Sequence, residues 1–328
     1  MKRTAVGIMV GAVIGVSLLL GAQAWAEPSG GHIDWESWSL DWEVTGNTGL
    51  ALRHVTYKSD LILGKASMPV LRVKYDKERV WWNPFSWFGS REETGRCGPF
   101  QDRLSWTNSI PITSCEGKKV CTRKHTIEGL KWLELGLYAR IGEYHIYQAW
   151  YLSADGEIHP VVQSRGLSCV TNHVHHPYWR LDFDVAGRGL DQVFVRNEGA
   201  PDEGWGPGWH KYTNEVNTFK QTATNRVWYV RDYATGRGVW VIPGYGYEPI
   251  KDDGVRDEFS DRDVSIRRAR ADEDLPWLFG ARGELAFDQD HEGVQEQDIL
   301  FWYVAHLPHP AALGPTVWLA VGPVIRVE

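Results

Sequence analysis

The chain has 328 residues, 43% of them hydrophobic, which is ample for a large core. Its formal net charge is −7, and it has no basic run interleaved with aromatics, so composition argues against a nucleic-acid partner. No internal repeat or convincing linker divides it, and one domain over residues 27–328 is expected after an N-terminal leader.

That leader is residues 1–26. Lys2 and Arg3 form its charged start, an apolar stretch follows, and Ala24-Trp25-Ala26 is a small-x-small cleavage site. A secretory signal cleaved after Ala26 is expected, which makes the protein periplasmic or secreted. The apolar run is also long enough to serve as an uncleaved anchor. Four cysteines lie in the exported part, Cys97, Cys115, Cys121 and Cys169, and four allow three pairings. No Cys-x-x-Cys occurs, which argues against a thiolate zinc site.

Beyond residue 32 the pattern is mostly strand. "LALRHVTY", "PVLRVKY", "HIYQAWYL", "PVVQSRGL", "YWRLDFDVAG", "DQVFVRNE" and "ILFWYVAHL" are rich in β-branched and aromatic residues and are cut by Gly, Asp and Asn. "LSADGEI" carries the Asp-Gly turn pair, and "YATGRGV" reads as a hairpin tip. One segment, "TIEGLKWLELGLY", reads as a helix. The expected fold is an all-β sandwich or barrel, with most of the 18 tryptophans in packing roles.

The stretch "TNHVHHPYWRLDFDVAG" places three histidines in four positions. On a strand, residues i and i+2 share a face about 6.5–7 Å apart, so His173 and His175 can turn to one ion while His176 points away. On spacing alone, the competing reading is a solvent-facing pair on an edge strand. A metal needs a further ligand. His306, at the end of "FWYVAHL", is one source, and His309 is its neighbour beyond a proline. Three imidazoles with open positions suit copper or zinc.

The same stretch resembles the His-x-His-x4-Arg-Leu-Asp segment of copper amine oxidases, in register to Arg180-Leu181-Asp182. Other segments resemble that family in order. They are "IDWESWSLDWEVTGNTGLALRHVTY", "LGKASMPVLRVKYDK", "YHIYQAWYLSADGEIHPVVQSRGL", "RVWYVRDYATGRGVWVIPG" and "DILFWYVAHLPHP", the last beside the family's "DLVVWYTFGVTHIPRPEDWP". The resemblance covers nearly all of the mature chain. It implies the family's large antiparallel β-sandwich catalytic domain, without the small domains that usually precede it. It implies Cu(II) held by His173, His175 and His306, and a Cys97–Cys121 disulfide, with Cys115 and Cys169 unassigned. It implies topaquinone made from Tyr144, with Tyr75 hydrogen-bonded to the quinone. It also implies a primary amine and O2 as substrates, and a homodimer.

The chain departs from the family at three places. Glu143 and His145 flank Tyr144, where the family has Asn-Tyr-Asp/Glu. Ser86 stands where the family's aspartate base is expected, and Asp76, Glu92 and Glu93 are the nearby carboxylates. Loss of a general base typically costs about 10²–10⁴-fold in rate. Two functions therefore compete: a quinone-dependent primary-amine oxidase, and an exported copper-binding protein that lacks quinone and base. A metal-free interaction protein on the same fold is a third reading.

Overall fold

The computed structural model describes residues 29–46, 48–75, 78–80, 91–93, 100–167, 171–197, 204–220, 225–244, 263–270 and 291–328. The leader, Asp76, Ser86, Cys97 and Cys169 lie outside these residues, as do the side chains of Glu92 and Glu93. Among the described residues the protein is nearly all antiparallel β, in two ten-stranded sheets and one short two-stranded pair. No helix among them is long and apolar enough to cross a membrane.

The first sheet runs Gly30–Trp35, Trp38–Thr45, Gly49–Tyr57, Asp60–Tyr75, His173–Phe183, Ile299–Val304, Val264–Arg268, Val216–Thr218. Leu307–His309 also pairs with His173–Phe183, and Phe100–Asp102 with Asp60–Tyr75. The second sheet runs Gly208–Lys211, Asp191–Asn197, Val227–Asp232, Gly238–Ile242, Val324–Val327, Glu157–Arg165, Tyr144–Ser153, Leu130–Ile141, Val120–Ile127, with Leu319–Val321 beside Glu157–Arg165.

The period of two decides which side chains meet between the sheets. Leu133, Leu135 and Leu137 of one sheet, and Trp179, Leu181 and Phe183 of the other, alternate into one buried core. Trp150 and Trp179 meet edge-on in it, with ring centroids 5.1 Å apart. Gln148 ties the sheets together by a two-way bond to Leu50: its Oε1 accepts from the Leu50 N–H and its Nε2 donates to the Leu50 carbonyl, both at 2.9 Å. This fixes the strand that begins at Tyr144 against the first sheet.

The helix expected over "TIEGLKWLELGLY" is instead a hairpin between Val120–Ile127 and Leu130–Ile141. Glu128 and Gly129 both have positive φ, 51° and 83°, the backbone of a tight two-residue hairpin turn. The leucines at alternate positions then fill the core, where a helix would have scattered them. The disulfide also differs from the expected Cys97–Cys121 pairing: Cys121 is bonded to Cys115. A short turn at Thr113–Cys115 and the Ile112–Lys118 bridge bend the chain back, bringing the two Cα atoms to 5.5 Å.

Candidate functional site

His173–Phe183 is not an edge strand. It lies between Asp60–Tyr75 on one side and Ile299–Val304 with Leu307–His309 on the other. Register places Tyr75, His173 and His309 side by side across three strands, because His173 pairs with both Tyr75 and His309. His175 pairs with Val73 and Leu307. Cross-strand partners share a face, and Leu307 belongs to the core, so this row faces the space between the sheets. Tyr144 enters that space from the opposite sheet.

The result is a buried aromatic and imidazole cluster. His173, His175 and His309 are each at most 1% exposed. The His173 ring lies 4.9 Å from His175 and 4.7 Å from His309, centroid to centroid. Tyr144 stands edge-on to His173 at 5.4 Å and to His175 at 5.0 Å. The hydroxyls of Tyr75 and Tyr144 are hydrogen-bonded at 2.8 Å. Burial, then the bond to Tyr144, raise the Tyr75 pKa well above the ordinary phenol value, so it stays protonated.

The hydrogen bonds assign the ring protons. His309 Nε2 lies 3.1 Å from the Gly314 carbonyl and must donate to it, which leaves Nδ1 as the lone-pair nitrogen. His173 Nδ1 donates to the Thr171 carbonyl at 3.2 Å, leaving Nε2. His175 Nε2 meets Ser164 Oγ of the opposite sheet at 3.2 Å. The Nδ1 atoms of His175 and His309 are buried and find no hydrogen-bond partner among the described residues. Burial, reinforced by repulsion from His173 and His309, holds His175 neutral. Burial likewise lowers the pKa of His309, against a smaller opposite effect of the Gly314 bond.

Neutral imidazoles with unmet buried nitrogens, each anchored through its other nitrogen, are the donor set that a borderline transition ion takes. The residues present therefore fit copper chemically. As the rings lie, no three His, Cys, Asp or Glu side chains among the described residues converge closely enough to hold an ion. Coordination would require the rings to turn toward one another.

His306, expected as the third ligand, is not in this cluster. It precedes Leu307 by one residue and so points to the other face of the sheet, where its Nε2 bonds Asp263 and its Nδ1 meets His176. The signal for His309 was in the sequence. The family's quoted segment has its histidine seven residues after the Trp of its Trp-Tyr pair, and His309 stands seven after Trp302, whereas His306 stands four after it. His176 points away from the pair, as alternation requires.

The unusual neighbours of Tyr144 are also turned away. Glu143 is exposed, 3.8 Å from Arg140, and His145 is bonded to the Tyr138 hydroxyl on the outer face. Asp102, which no local motif marks, is a carboxylate near the cluster. It pairs in register with Leu71, a core residue two positions from Val73 and four from Tyr75, so it faces the same interior layer. Burial pushes its pKa up to about 6, and its charge adds to the raised pKa of Tyr75.

No family model matches the chain, and no curated protein matches it by sequence. Solved structures do match. A copper-containing benzylamine oxidase from Hansenula polymorpha superimposes with a TM-score of 0.67 over 92% of this chain and 60% of its own, at 14% identity. The fold is shared with copper-containing amine oxidases. A Pichia pastoris lysyl oxidase gives 0.63 at 14% identity, over 90% of this chain and 51% of its own. An Aspergillus nidulans amine oxidase gives 0.61 at 13% identity with the same coverages. The chain thus spans about half to three-fifths of the length of these amine oxidases.

Proposed function

We propose that this is an exported copper-binding protein that oxidatively deaminates a primary amine, with His173, His175 and His309 as the copper ligands and Tyr144 as the residue converted to a quinone. The observation that carries the reading is the buried Tyr144 hydroxyl, bonded to Tyr75 and flanked by His173 and His175. The shared fold supports it.

Copper bound there would supply the redox chemistry that oxidises the Tyr144 ring and returns electrons to O2, and the quinone would supply a carbonyl for the amine. The net reaction consumes amine, O2 and water and yields aldehyde, ammonia and hydrogen peroxide. The chain's own residues do the rest. Tyr75, kept protonated, donates a hydrogen bond that fixes the ring at position 144. Gln148 and the core beneath it hold that strand against the ligand sheet and keep water out. Asp102, with a pKa of about 6, is ionised at neutral pH and suits removal of the substrate's α-proton in place of the missing aspartate.

The second reading, copper binding without quinone, draws on the mismatches at Glu143, His145 and Ser86. The Glu143 and His145 side chains point away from the cluster, which weakens their part of that reading. The test is amine-dependent peroxide release by purified protein loaded with copper in air, across a panel of primary amines. Release that disappears in Tyr144→Phe is expected. Copper-loaded protein silent with every amine overturns the oxidase reading.

A further inference from the structure

Back to back with the ligand cluster lies a second buried group. His306 donates through Nε2 to Asp263 Oδ1 at 2.8 Å, and the Nδ1 atoms of His306 and His176 meet at 2.8 Å. Of the two facing Nδ1 atoms, one carries the proton and the other accepts it. The three side chains are 0%, 3% and 0% exposed for His176, His306 and Asp263. They sit beside an apolar patch of Val70, Tyr178, Leu300, Trp302 and Val304. Two imidazoles and a carboxylate are costly to bury there, and apolar residues would pack at less cost.

Their position explains what they secure. Tyr178 pairs with Val304 and His175 with Leu307, so one register runs through both segments and sets His306 opposite His176. Between these pairs stands Pro177. It accepts from the Ala305 N–H at 3.0 Å but has no N–H to return, so the ladder loses a bond beside the ligands. A slip of one residue here would turn His309 out of the cluster. The side-chain bonds span this gap. Asp263 anchors them: its Oδ2 accepts from the Lys220 N–H at 3.2 Å, and its carbonyl accepts from Val304 N–H at 2.8 Å.

We infer that Asp263, His306 and His176 are a positioning triad that locks the register across Pro177, and so presents His175 and His309 to the metal. The inference rests on the copper reading above. His306 is then a positioning residue and not a ligand.

The test compares His306→Leu, which breaks both bonds, with His306→Gln, whose amide can donate to Asp263 and accept from His176. Copper affinity is measured by competition titration and the ligand field by Cu(II) EPR, with folding checked by circular dichroism. His306→Leu should bind copper at least about tenfold more weakly with an altered spectrum, and His306→Gln should restore both. Folded variants that both match wild type overturn the proposal. So does equal loss of one nitrogen ligand in both, which would make His306 a ligand. If His306→Leu does not fold, His176→Leu/His306→Leu/Asp263→Asn removes the partners together and is read the same way. If wild type binds no copper, the function proposed above fails separately. The triad is then judged in copper-free protein by the imidazole ¹⁵N resonances of His175 and His309. Shifts in the Leu variant that Gln reverses support it, and unmoved resonances overturn it.

Discussion

Gly166→Ala tests how tightly the position of Tyr144 is determined. Gly166 has φ +121°, a conformation that residues with a side chain rarely adopt. A Cβ there would lie 2.4 Å from the Glu143 carbonyl oxygen and 3.0 Å from Tyr144 Cα. These are backbone atoms, and no side chain can swing aside to relieve them. Restoring ordinary contact requires the segment at 143–144 to move by on the order of 1 Å. The backbone strain costs about 1–3 kcal/mol, and the crowding about 1–3 kcal/mol more, which together make a loss of about 2–6 kcal/mol. Denaturant unfolding should show that loss. The histidines proposed to hold copper stand on the other sheet, so copper stoichiometry should be unchanged. Quinone formation at Tyr144 should slow by about 10²-fold, the usual consequence of a 1 Å misplacement. A Gly166→Ala protein with wild-type stability and wild-type quinone formation would refute this packing argument.

Further outcomes follow from the same geometry. Asp102→Asn should lower amine turnover by about 10²–10⁴-fold and abolish a rise in wild-type rate as pH passes through about 6; a variant whose pH–rate profile still rises there removes Asp102 from the mechanism. Burial, with Asp184, Asp232 and Asp298 nearby, pushes Asp191 up to about 9. The unfolded chain ionises at this position near pH 4, so the folded state holds an extra proton above that pH, and stability should fall as pH rises toward 9, by at most about 1.4 kcal/mol per unit. Asp191→Asn should flatten that slope in unfolding measured between pH 6 and 9, and parallel slopes would count against the assignment. Replacing Cys115 and Cys121 by serine should cost about 2 kcal/mol, as expected for so short a closed loop, and an unchanged unfolding midpoint would contradict it.

The strands were legible because alternation and turn chemistry are local. The Asp155-Gly156 turn and the tip at residues 233–237 join the strands they were expected to join. The segment at 126–138 was not, because Leu130, Leu133 and Leu137 also fall at helical i, i+3, i+7 spacing when Glu128-Gly129 is passed over. His173 and His175 were readable from parity. The same rule, applied at the distant end, would have chosen His309 over His306: only residues paired inward with His173 and His175 can join them, and position 306 has the wrong parity. The disulfide follows a local fold at 112–118, where the Ile112–Lys118 bridge turns Cys115 back toward Cys121. Asp102 was invisible because its place depends on a distant sixteen-residue strand, Asp60–Tyr75, through its pairing with Leu71 and not on any motif around it.

The proposed function makes Tyr144, edge-on to the buried His173 and His175, both metal-adjacent and convertible. It is tested most directly by purifying the protein, loading it with copper in air, and measuring copper per chain together with quinone redox-cycling staining, in wild type and in Tyr144→Phe. Copper in both proteins, with a quinone signal in wild type alone, is the expected result. Copper without quinone in the wild type would contradict the oxidase, and absence of both would contradict the copper site as well.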